Sequence, residues 1–193
     1  MQVEKILISA CLLGERVRYH GGDARVEHPI LRRWQGEGRL VPFCPEVIGG
    51  LATPRPAAEI TVTPRGLRVL TSAGRDVTDA FERGAEAAVH ACAAHGIRVA
   101  ILKDGSPSCG SRSIYDGTFR GRRVDGEGLT AARLRAAGVR VFSEEEIDSA
   151  SDYLRALENN GSRLSALGLS CLKSKARSLK PARKSWKSTR PPS

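Results

Sequence analysis

The sequence predicts an α/β protein: a three-layer sandwich around a mostly parallel, Rossmann-like sheet that also carries a small hairpin insertion. Three observations favour this fold class. Apolar runs of strand length recur along the chain, segments of helical length separate them, and glycine or proline marks most of the boundaries. Strands that alternate with helices pair in parallel, because each helix returns the chain across the sheet. The 193 residues suffice for one domain with a sizeable core.

Four apolar runs are the candidate strands of the main sheet, and turn residues bound them. These runs are residues 5–10, 39–43, 97–103 and 139–142. Pro42 weakens the assignment of the second run, because proline has no N–H for a strand ladder. The runs EITVT and GLRVLT flank Pro64–Gly66 and predict the small hairpin.

Helices are predicted between and after these strands. The predicted helices are residues 29–36, 76–95, 128–137 and 144–159. Pro29 opens the first helix, and Gly96 ends the second, which Asp76 or Thr78 caps. The remaining segments are predicted loops: residues 11–27, 44–59 and the stretch around Cys109, with residues 113–124 as a loop or a hairpin.

The positive charge of the chain is concentrated near its C-terminus. Residues 1–150 hold 21 Lys and Arg against 19 Asp and Glu, whereas residues 151–193 hold 10 against 2. Residues 159–193 contain no acidic residue and several serines and prolines, which predicts a basic, disordered tail after a domain of residues 1–158. Such a tail can contact nucleic acid weakly, or it is a solvated extension with no defined partner.

The cysteines and the apolar runs indicate in which cellular compartment we expect the protein. The five cysteines are odd in number and widely spaced, so a disulfide framework is a poor interpretation. The N-terminal run ILISACLL is far too short to span a bilayer, and it lacks the pattern of a signal peptide. We therefore expect a cytoplasmic protein with free thiols and no membrane partner.

Two of the five cysteines have ordinary explanations. Cys92 shares one face of its predicted helix with Phe81, Ala85 and Ala88, which predicts a buried core thiol. Cys171 lies in the basic tail, where the sequence implies no structured neighbours. Neither cysteine is therefore a strong candidate for a functional site.

The other three cysteines stand at the ends of predicted strands. Cys11 and Cys44 directly follow their strands, and Cys109 lies in the loop after the third strand of the set. Ligands bind at the carboxyl edge of open parallel sheets. If these three strands are neighbours, the three thiols converge on one pocket. The glycines and prolines around them would let the backbone approach a bound group closely.

Three converging thiolates are typical of a metal site. A closed zinc site needs four protein ligands, and no Cys-X-X-Cys pair supports a zinc ribbon. Thiolates also bind iron–sulfur clusters, and a cubane held by three cysteines leaves one iron available to a substrate. Spacing alone does not separate an iron–sulfur cluster from catalytic zinc, or either of them from three unrelated cysteines.

Three segments carry a resemblance to a known family. They are SACLLGERVRYHGG (9–22), FCPEVIGGLATPR (43–55) and LKDGSPSCGS (102–111). Their sequences and order resemble the 2-thiouracil desulfurases, short single-domain proteins once classed as a domain of unknown function, over roughly residues 3–150. The fold and the chemistry of that family become expectations for this chain.

The resemblance implies a [4Fe–4S] cluster held by Cys11, Cys44 and Cys109. It also implies a non-redox hydrolysis of a small thiolated pyrimidine such as 2-thiouracil. In the family the fourth iron is thought to bind the thione sulfur, water attacks the thiocarbonyl carbon, and sulfur leaves as hydrosulfide. Soft sulfur suits a soft iron, and polarising C=S makes its carbon electrophilic.

A general base must activate the water, and Glu46, two residues after Cys44, is the leading candidate. Alternatively, Glu46 is a loop carboxylate that pairs with Arg55 or with a backbone donor. Ser106 resembles the active-site serine of the family, and Ser108 is a candidate substrate contact. Both hydroxyls could instead cap the turn.

Further polar groups in the motifs are candidate substrate contacts or braces of the loops: Arg18, Asp23, Arg55 and Lys103. His20 departs from the family pattern, because relatives commonly carry an acidic residue at this position. If the position contacts substrate, the departure could change specificity; otherwise His20 is an exposed loop residue.

Two other functions stay open at this point. The same chemistry could act on thiolated nucleosides in tRNA, with phosphate contacts from the basic tail. The tRNA-directed relatives resemble fusions with an additional domain, and we expect no such domain in this chain. The second alternative is non-enzymatic: an iron–sulfur or thiol sensor, or a zinc-bound interaction module.

Overall fold

The computed structural model describes residues 3–64 and 66–166. In chain order its elements are β1 (Ile6–Ser9), a 3₁₀ helix (Ala10–Leu13), α1 (Pro29–Gly36), β2 (Leu40–Phe43), α2 (Pro45–Ile48), β3 (Ala58–Thr63), β4 (Gly66–Thr71), α3 (Thr78–His95), β5 (Val99–Leu102), β6 (Ser113–Tyr115), β7 (Arg123–Asp125), α4 (Leu129–Ala136), β8 (Arg140–Ser143) and α5 (Ile147–Ala166).

The main sheet has four parallel strands in the order β2-β1-β5-β8, which confirms the predicted fold class. The strand order reverses between β1 and β5, the point at which open α/β sheets leave a crevice for ligands. Pro42 is compatible with its strand because β2 lies at the edge of the sheet and has one neighbour.

Helices α3 and α4 cover one face of the sheet. Ala88, Cys92 and Leu134 of these helices belong to one buried cluster with Leu7 and Ala100 of the strands. This confirms the prediction that Cys92 is a core thiol. The adjacent strand residues point to the opposite face and are fully buried as well: Ile6, Ile8 and Ile101. The sheet is therefore covered on both faces, as in a three-layer fold.

Two antiparallel hairpins extend beyond the main sheet. The predicted insertion is confirmed as the pair β3–β4, whose register runs from Ala58 opposite Thr71 to Thr63 opposite Gly66. The segment that the sequence left as a loop or a hairpin is a hairpin, with β6 paired to β7.

The predicted loop 44–59 begins instead with a helix, so that part of the prediction is wrong. Helix α2 starts at Pro45, whose fixed backbone angle suits a first helical position. The helix packs tightly on α3 through two glycines. A Cβ on Gly49 would lie 2.0 Å from the carbonyl oxygen of Ala80, and one on Gly84 would lie 2.0 Å from that of Pro45. Only residues without a side chain allow this approach, which fixes α2 against the core.

The first turn of α3 also differs slightly from the prediction. The helix begins at Thr78, two residues later than expected, and Val77 is its N-terminal flanking residue. The Asp76 carboxylate still accepts the backbone N–H and the hydroxyl of Thr78. Gly96 ends the helix in the left-handed conformation, as predicted.

The chain divides into two compact units, residues 1–156 and residues 157–193. The first unit contains the whole sheet and both hairpins. The predicted basic tail lies outside the described residues from position 167 onward, and so does Cys171. Its predicted disorder and nucleic-acid contact therefore stay predictions. None of the helices in the described part of the chain is both long and apolar enough to cross a membrane.

Candidate active site

The three strand-end cysteines line one cavity of about 440 Å³. Cys11 lies in the 3₁₀ helix after β1, and Cys44 is the residue between β2 and α2. Cys109 lies in the loop after β5. Because β2, β1 and β5 are adjacent parallel strands, their carboxyl ends bring the three thiols to the same edge of the sheet. The convergence expected from the sequence is therefore present.

Burial makes the unligated thiols poor nucleophiles. Desolvation raises the pKa of Cys11 to about 11, and a negative charge on Cys44 would raise this pKa further. Burial also raises the pKa of Cys44 and, most strongly, the pKa of Cys109. A reactive cysteine needs the opposite environment, one that lowers its pKa. Thiolates here would be stabilised by a bound metal, which displaces the thiol proton.

The donor set fits an iron–sulfur cluster better than a single ion. Within residues 3–64 and 66–159, no group of three or more His, Cys, Asp or Glu side chains is arranged to hold one metal ion. In a cluster, each thiolate binds its own iron, so the three sulfurs need not meet at one point. Three free cysteines around one cavity, of which Cys11 and Cys109 are buried and Cys44 is half-buried, therefore suit a cluster.

Glu46 lies in the first turn of α2 and lines the same cavity. Its Oε2 accepts hydrogen bonds from Arg55 Nη2 at 2.6 Å and from Arg55 Nε at 3.0 Å. Its Oε1 accepts from Ser106 Oγ at 3.3 Å. The pairing of Glu46 with Arg55 that the sequence allowed is present. It fixes one carboxylate oxygen and leaves the other beside the serine.

The two serines of the Cys109 loop have different environments. Ser106 lines the cavity, and its Oγ accepts the backbone N–H groups of Ser108 and Cys109 at 3.0 and 3.1 Å. Ser108 is fully buried and shares a hydrogen bond of 2.8 Å with Thr130 Oγ1. Ser108 is not among the residues that line the cavity. Only Ser106 is therefore placed to meet a bound molecule.

Of the other three predicted substrate contacts, two line the cavity and one does not. Lys103 and Arg55 line the cavity, and Lys103 Nζ donates to Glu144 and to the Asp104 carbonyl. Asp23 is exposed and lies outside the lining, and its carboxylate accepts the N–H of Arg25.

Of the two remaining motif residues, only Arg18 lines the cavity. Its Nη1 donates to the carbonyl oxygen of Asp23 at 3.3 Å, which ties the Gly-rich loop together. His20 is exposed, and its Nδ1 accepts the N–H of Gly22 at 3.1 Å. His20 is therefore a loop residue in this structure rather than part of the cavity wall.

Asp104 organises the Cys109 loop, a role that the sequence analysis missed. Its Oδ1 accepts the backbone N–H groups of Ser111, Arg112 and Ser113 at 3.0 to 3.1 Å. Its Oδ2 accepts from Ser113 Oγ and from Arg123 Nη2. The five donors come from residues 7 to 19 positions away. One carboxylate therefore closes the loop that presents Cys109.

We expect Asp104→Asn to lower the free energy of unfolding by about 2 to 3 kcal/mol near neutral pH, the usual magnitude for hydrogen bonds to a charged group. Burial alone raises the pKa of Asp104, but the hydrogen bonds from Ser113, Arg112 and Ser111 outweigh it and lower this pKa to about 2. The stabilisation by the carboxylate is therefore present above about pH 4 and is lost as the pH falls through 2. Denaturant unfolding of both proteins measures it. A difference between them that does not shrink from pH 4 to pH 2 would contradict this assignment.

Taken together, the fold and the cavity define a class: an α/β protein with a thiol-lined, cluster-type metal site at the carboxyl edge of its sheet. Comparison with known proteins makes this specific. Residues 6–146 match the model of the 2-thiouracil desulfurase family, and the chain belongs to that family.

Two relatives show how far the similarity extends. A solved structure described as the [4Fe–4S]-dependent thiouracil desulfidase TudS is 50% identical, covers 79% of this chain and 99% of its own chain, and superimposes with a TM-score of 0.76. The uncharacterized protein YbbK of Bacillus subtilis (strain 168) is 41% identical over 149 residues, which are 74% of this chain and 97% of YbbK. Both matches span nearly the entire relative.

Proposed function

We propose that this protein hydrolyses the thiocarbonyl of a thiolated pyrimidine such as 2-thiouracil to the oxo form and releases hydrosulfide. Its cofactor is a [4Fe–4S] cluster held by Cys11, Cys44 and Cys109. The observation that carries the proposal is the set of three free thiols around one cavity, two of them buried and that of Cys44 half-buried, in a chain of the 2-thiouracil desulfurase family. When bound, the cluster supplies a Lewis-acidic iron with an affinity for soft sulfur, because three cysteines leave one iron without a protein ligand.

Glu46 is the general base of the proposed reaction. Its carboxylate takes one proton from a water molecule whose oxygen forms the new bond to the thiocarbonyl carbon. The second proton of that water goes to sulfur as the carbon–sulfur bond breaks and the C=O bond forms, so sulfur leaves as hydrosulfide and no electron is gained or lost. Arg55 holds one oxygen of Glu46, and Ser106 contacts the other, which fixes the direction of the carboxylate.

The remaining polar residues of the cavity bind the substrate and orient it. Lys103 and Arg55 place positive charge along the cavity wall, although each already contacts a carboxylate. Ser106 combines a cavity-facing position with two backbone contacts that shape the turn before Cys109. The proposal leaves out Ser108 and Asp23 as substrate contacts, because neither lines the cavity.

The test is anaerobic reconstitution of the full-length protein with iron and sulfide. We expect about four irons per chain, the brown absorption of a cubane cluster, and release of hydrosulfide from 2-thiouracil with formation of uracil. Omitting iron from the reconstitution is the matched control and should give no turnover. A protein that holds no iron, or a fully loaded protein without hydrosulfide release, would contradict the proposal.

A further inference from the structure

Besides Glu46 and Asp104, a third carboxylate residue lines the cavity, and nothing in the motifs indicated it. Glu59 lies on β3, outside all three motifs of the family resemblance. It lines the same cavity as Glu46 and is only 7% exposed. A carboxylate this deeply buried normally carries a partner for each oxygen, because leaving the charge unpaired is expensive.

Within residues 3–64 and 66–159, a single oxygen of Glu59 is engaged by a protein group. Oε2 accepts the backbone N–H of Phe119 at 3.0 Å. Among the described residues, Oε1 takes no hydrogen bond, yet it is not one of the buried atoms sealed off without a partner. Because Glu59 lines the cavity, its Oε1 is a free hydrogen-bond acceptor in the cavity wall.

The cations of the cavity do not compensate Glu59. Three of them pair with other carboxylates: Arg55 with Glu46, Lys103 with Glu144, and Arg123 with Asp104. The fourth, Arg18, donates to a carbonyl oxygen. Within the part of the chain that the structure describes, Glu59 has no ion pair. Its charge is therefore available to a hydrogen-bond donor of a bound molecule.

The backbone at Phe119 shows that this contact is held under strain. Phe119 is the one described residue other than glycine with a positive φ, at 57°. Its N–H is the group that binds Glu59. Gly117 in the same loop approaches β3 so closely that a Cβ would lie 2.6 Å from the carbonyl oxygen of Ile60. Strained backbone of this kind concentrates at ligand sites.

Three aromatic side chains also belong to the cavity wall. Tyr19, Tyr115 and Phe119 line the cavity and are 43%, 36% and 38% exposed. Partly exposed rings offer flat apolar surface against which a planar heterocycle can stack. Phe119 is the residue whose N–H binds Glu59, and the hydrogen-bond donors of a planar heterocycle lie at its edge.

We propose that Glu59 determines substrate specificity by accepting a hydrogen bond from a ring N–H that flanks the thiocarbonyl. The inference rests on the proposed function and deepens it. It defines the substrate class as thiolated pyrimidines that keep such an N–H, and it predicts discrimination against analogues in which the nitrogen is alkylated.

The test compares 2-thiouracil with 1,3-dimethyl-2-thiouracil, which lacks both N–H groups, in the cluster-loaded wild type and in Glu59→Gln. Glutamine has the same size, but its amide oxygen will turn to the Phe119 N–H, so its NH₂ group faces the cavity as a donor. We expect dimethylation to lower kcat/KM of the wild type by at least about 30-fold, the magnitude of a hydrogen bond to a charged acceptor. In Glu59→Gln, the kcat/KM values for 2-thiouracil and its dimethyl analogue should differ by no more than about fivefold.

The kinetic constants and two further variants separate recognition from structure. Glu59→Gln should raise KM for 2-thiouracil by about 30-fold while kcat stays within about threefold. The reason is that the lost hydrogen bond stabilises the bound substrate and the transition state equally. Glu59→Asp keeps an acceptor and should retain most of the discrimination. Thr61→Val, on the same strand with a hydroxyl that has no partner among the described residues, should behave as wild type.

The outcomes distinguish this inference from the proposed function. If loaded wild-type protein turns over 2-thiouracil but Glu59→Gln keeps the full dimethyl penalty, the role of Glu59 is wrong and the desulfurase function stands. A fall in kcat alone, equal for both substrates, would overturn the specificity role as well. If the loaded wild type turns over neither compound, the proposed function itself fails.

Discussion

Replacing Cys109 by serine should remove the cluster and all measurable desulfuration. A hydroxyl is a hard, weakly acidic ligand and binds iron far less well than a thiolate. Serine nevertheless preserves the volume of the side chain in a site that is only 5% exposed. The backbone N–H of residue 109 also keeps its contact with Ser106. Iron and sulfide content after anaerobic reconstitution, together with the visible spectrum, measure the effect.

Cys92→Ala is the matched control for this experiment. Cys92 is equally buried, at 2% exposure, but it belongs to α3 and packs in the core with residues of α4 and the sheet, and it does not line the cavity. Its removal should cost about 1 to 2 kcal/mol of stability while iron content stays unchanged. If Cys109→Ser holds as much iron as the wild type, Cys109 is not a ligand and the three-thiol assignment is wrong.

Glu46→Gln should keep the cluster but lower kcat by about a thousandfold, within the range that general bases contribute. The amide has the same shape and can still accept hydrogen bonds from Arg55, so the cavity should stay intact. It cannot take a proton from water at neutral pH. Steady-state hydrosulfide release at equal iron content measures the effect.

Glu4→Gln is the control for the loss of a paired carboxylate. Glu4 pairs with Arg98 and does not line the cavity. This variant should turn over substrate at the wild-type rate. If Glu46→Gln keeps more than a tenth of wild-type kcat, another group activates the water, and the assignment of the cluster ligands is unaffected.

Local patterns were sufficient to predict the sheet and the cysteine site. Each strand of the main sheet was visible as an apolar run, and parallel pairing follows from the alternation with helices. Residues that follow parallel strands share an edge of the sheet, so Cys11 and Cys44 were expected to converge if their strands were neighbours, and the strand order supplies that condition. The short helix α2 was hidden because its four residues carry no periodicity, and its position depends on contacts with Gly84 of α3.

The roles of single polar side chains depended on partners far along the chain. Ser106 and Ser108 look equivalent in SPSCGS, but Thr130, 22 residues later, draws Ser108 into the core. Glu59 reads as one polar position of an alternating hairpin strand, and Phe119, 60 residues away, encloses it. A sequence pattern reports local conformation and cannot specify such distant pairings.

The separation of the cysteines along the chain also dictates when the site can assemble during synthesis. Strand β1 pairs with β5 across more than ninety residues, and Ser9 Oγ accepts the N–H of Lys103 at a separation of 94 positions. Contacts of this length form late in folding, because a long loop must close first. A growing chain therefore exposes two thiols well before the third arrives. With the proposed set of three cysteine ligands, cofactor insertion would wait until β5 has docked, and a chain that stops short of residue 109 would lack one ligand of the cluster.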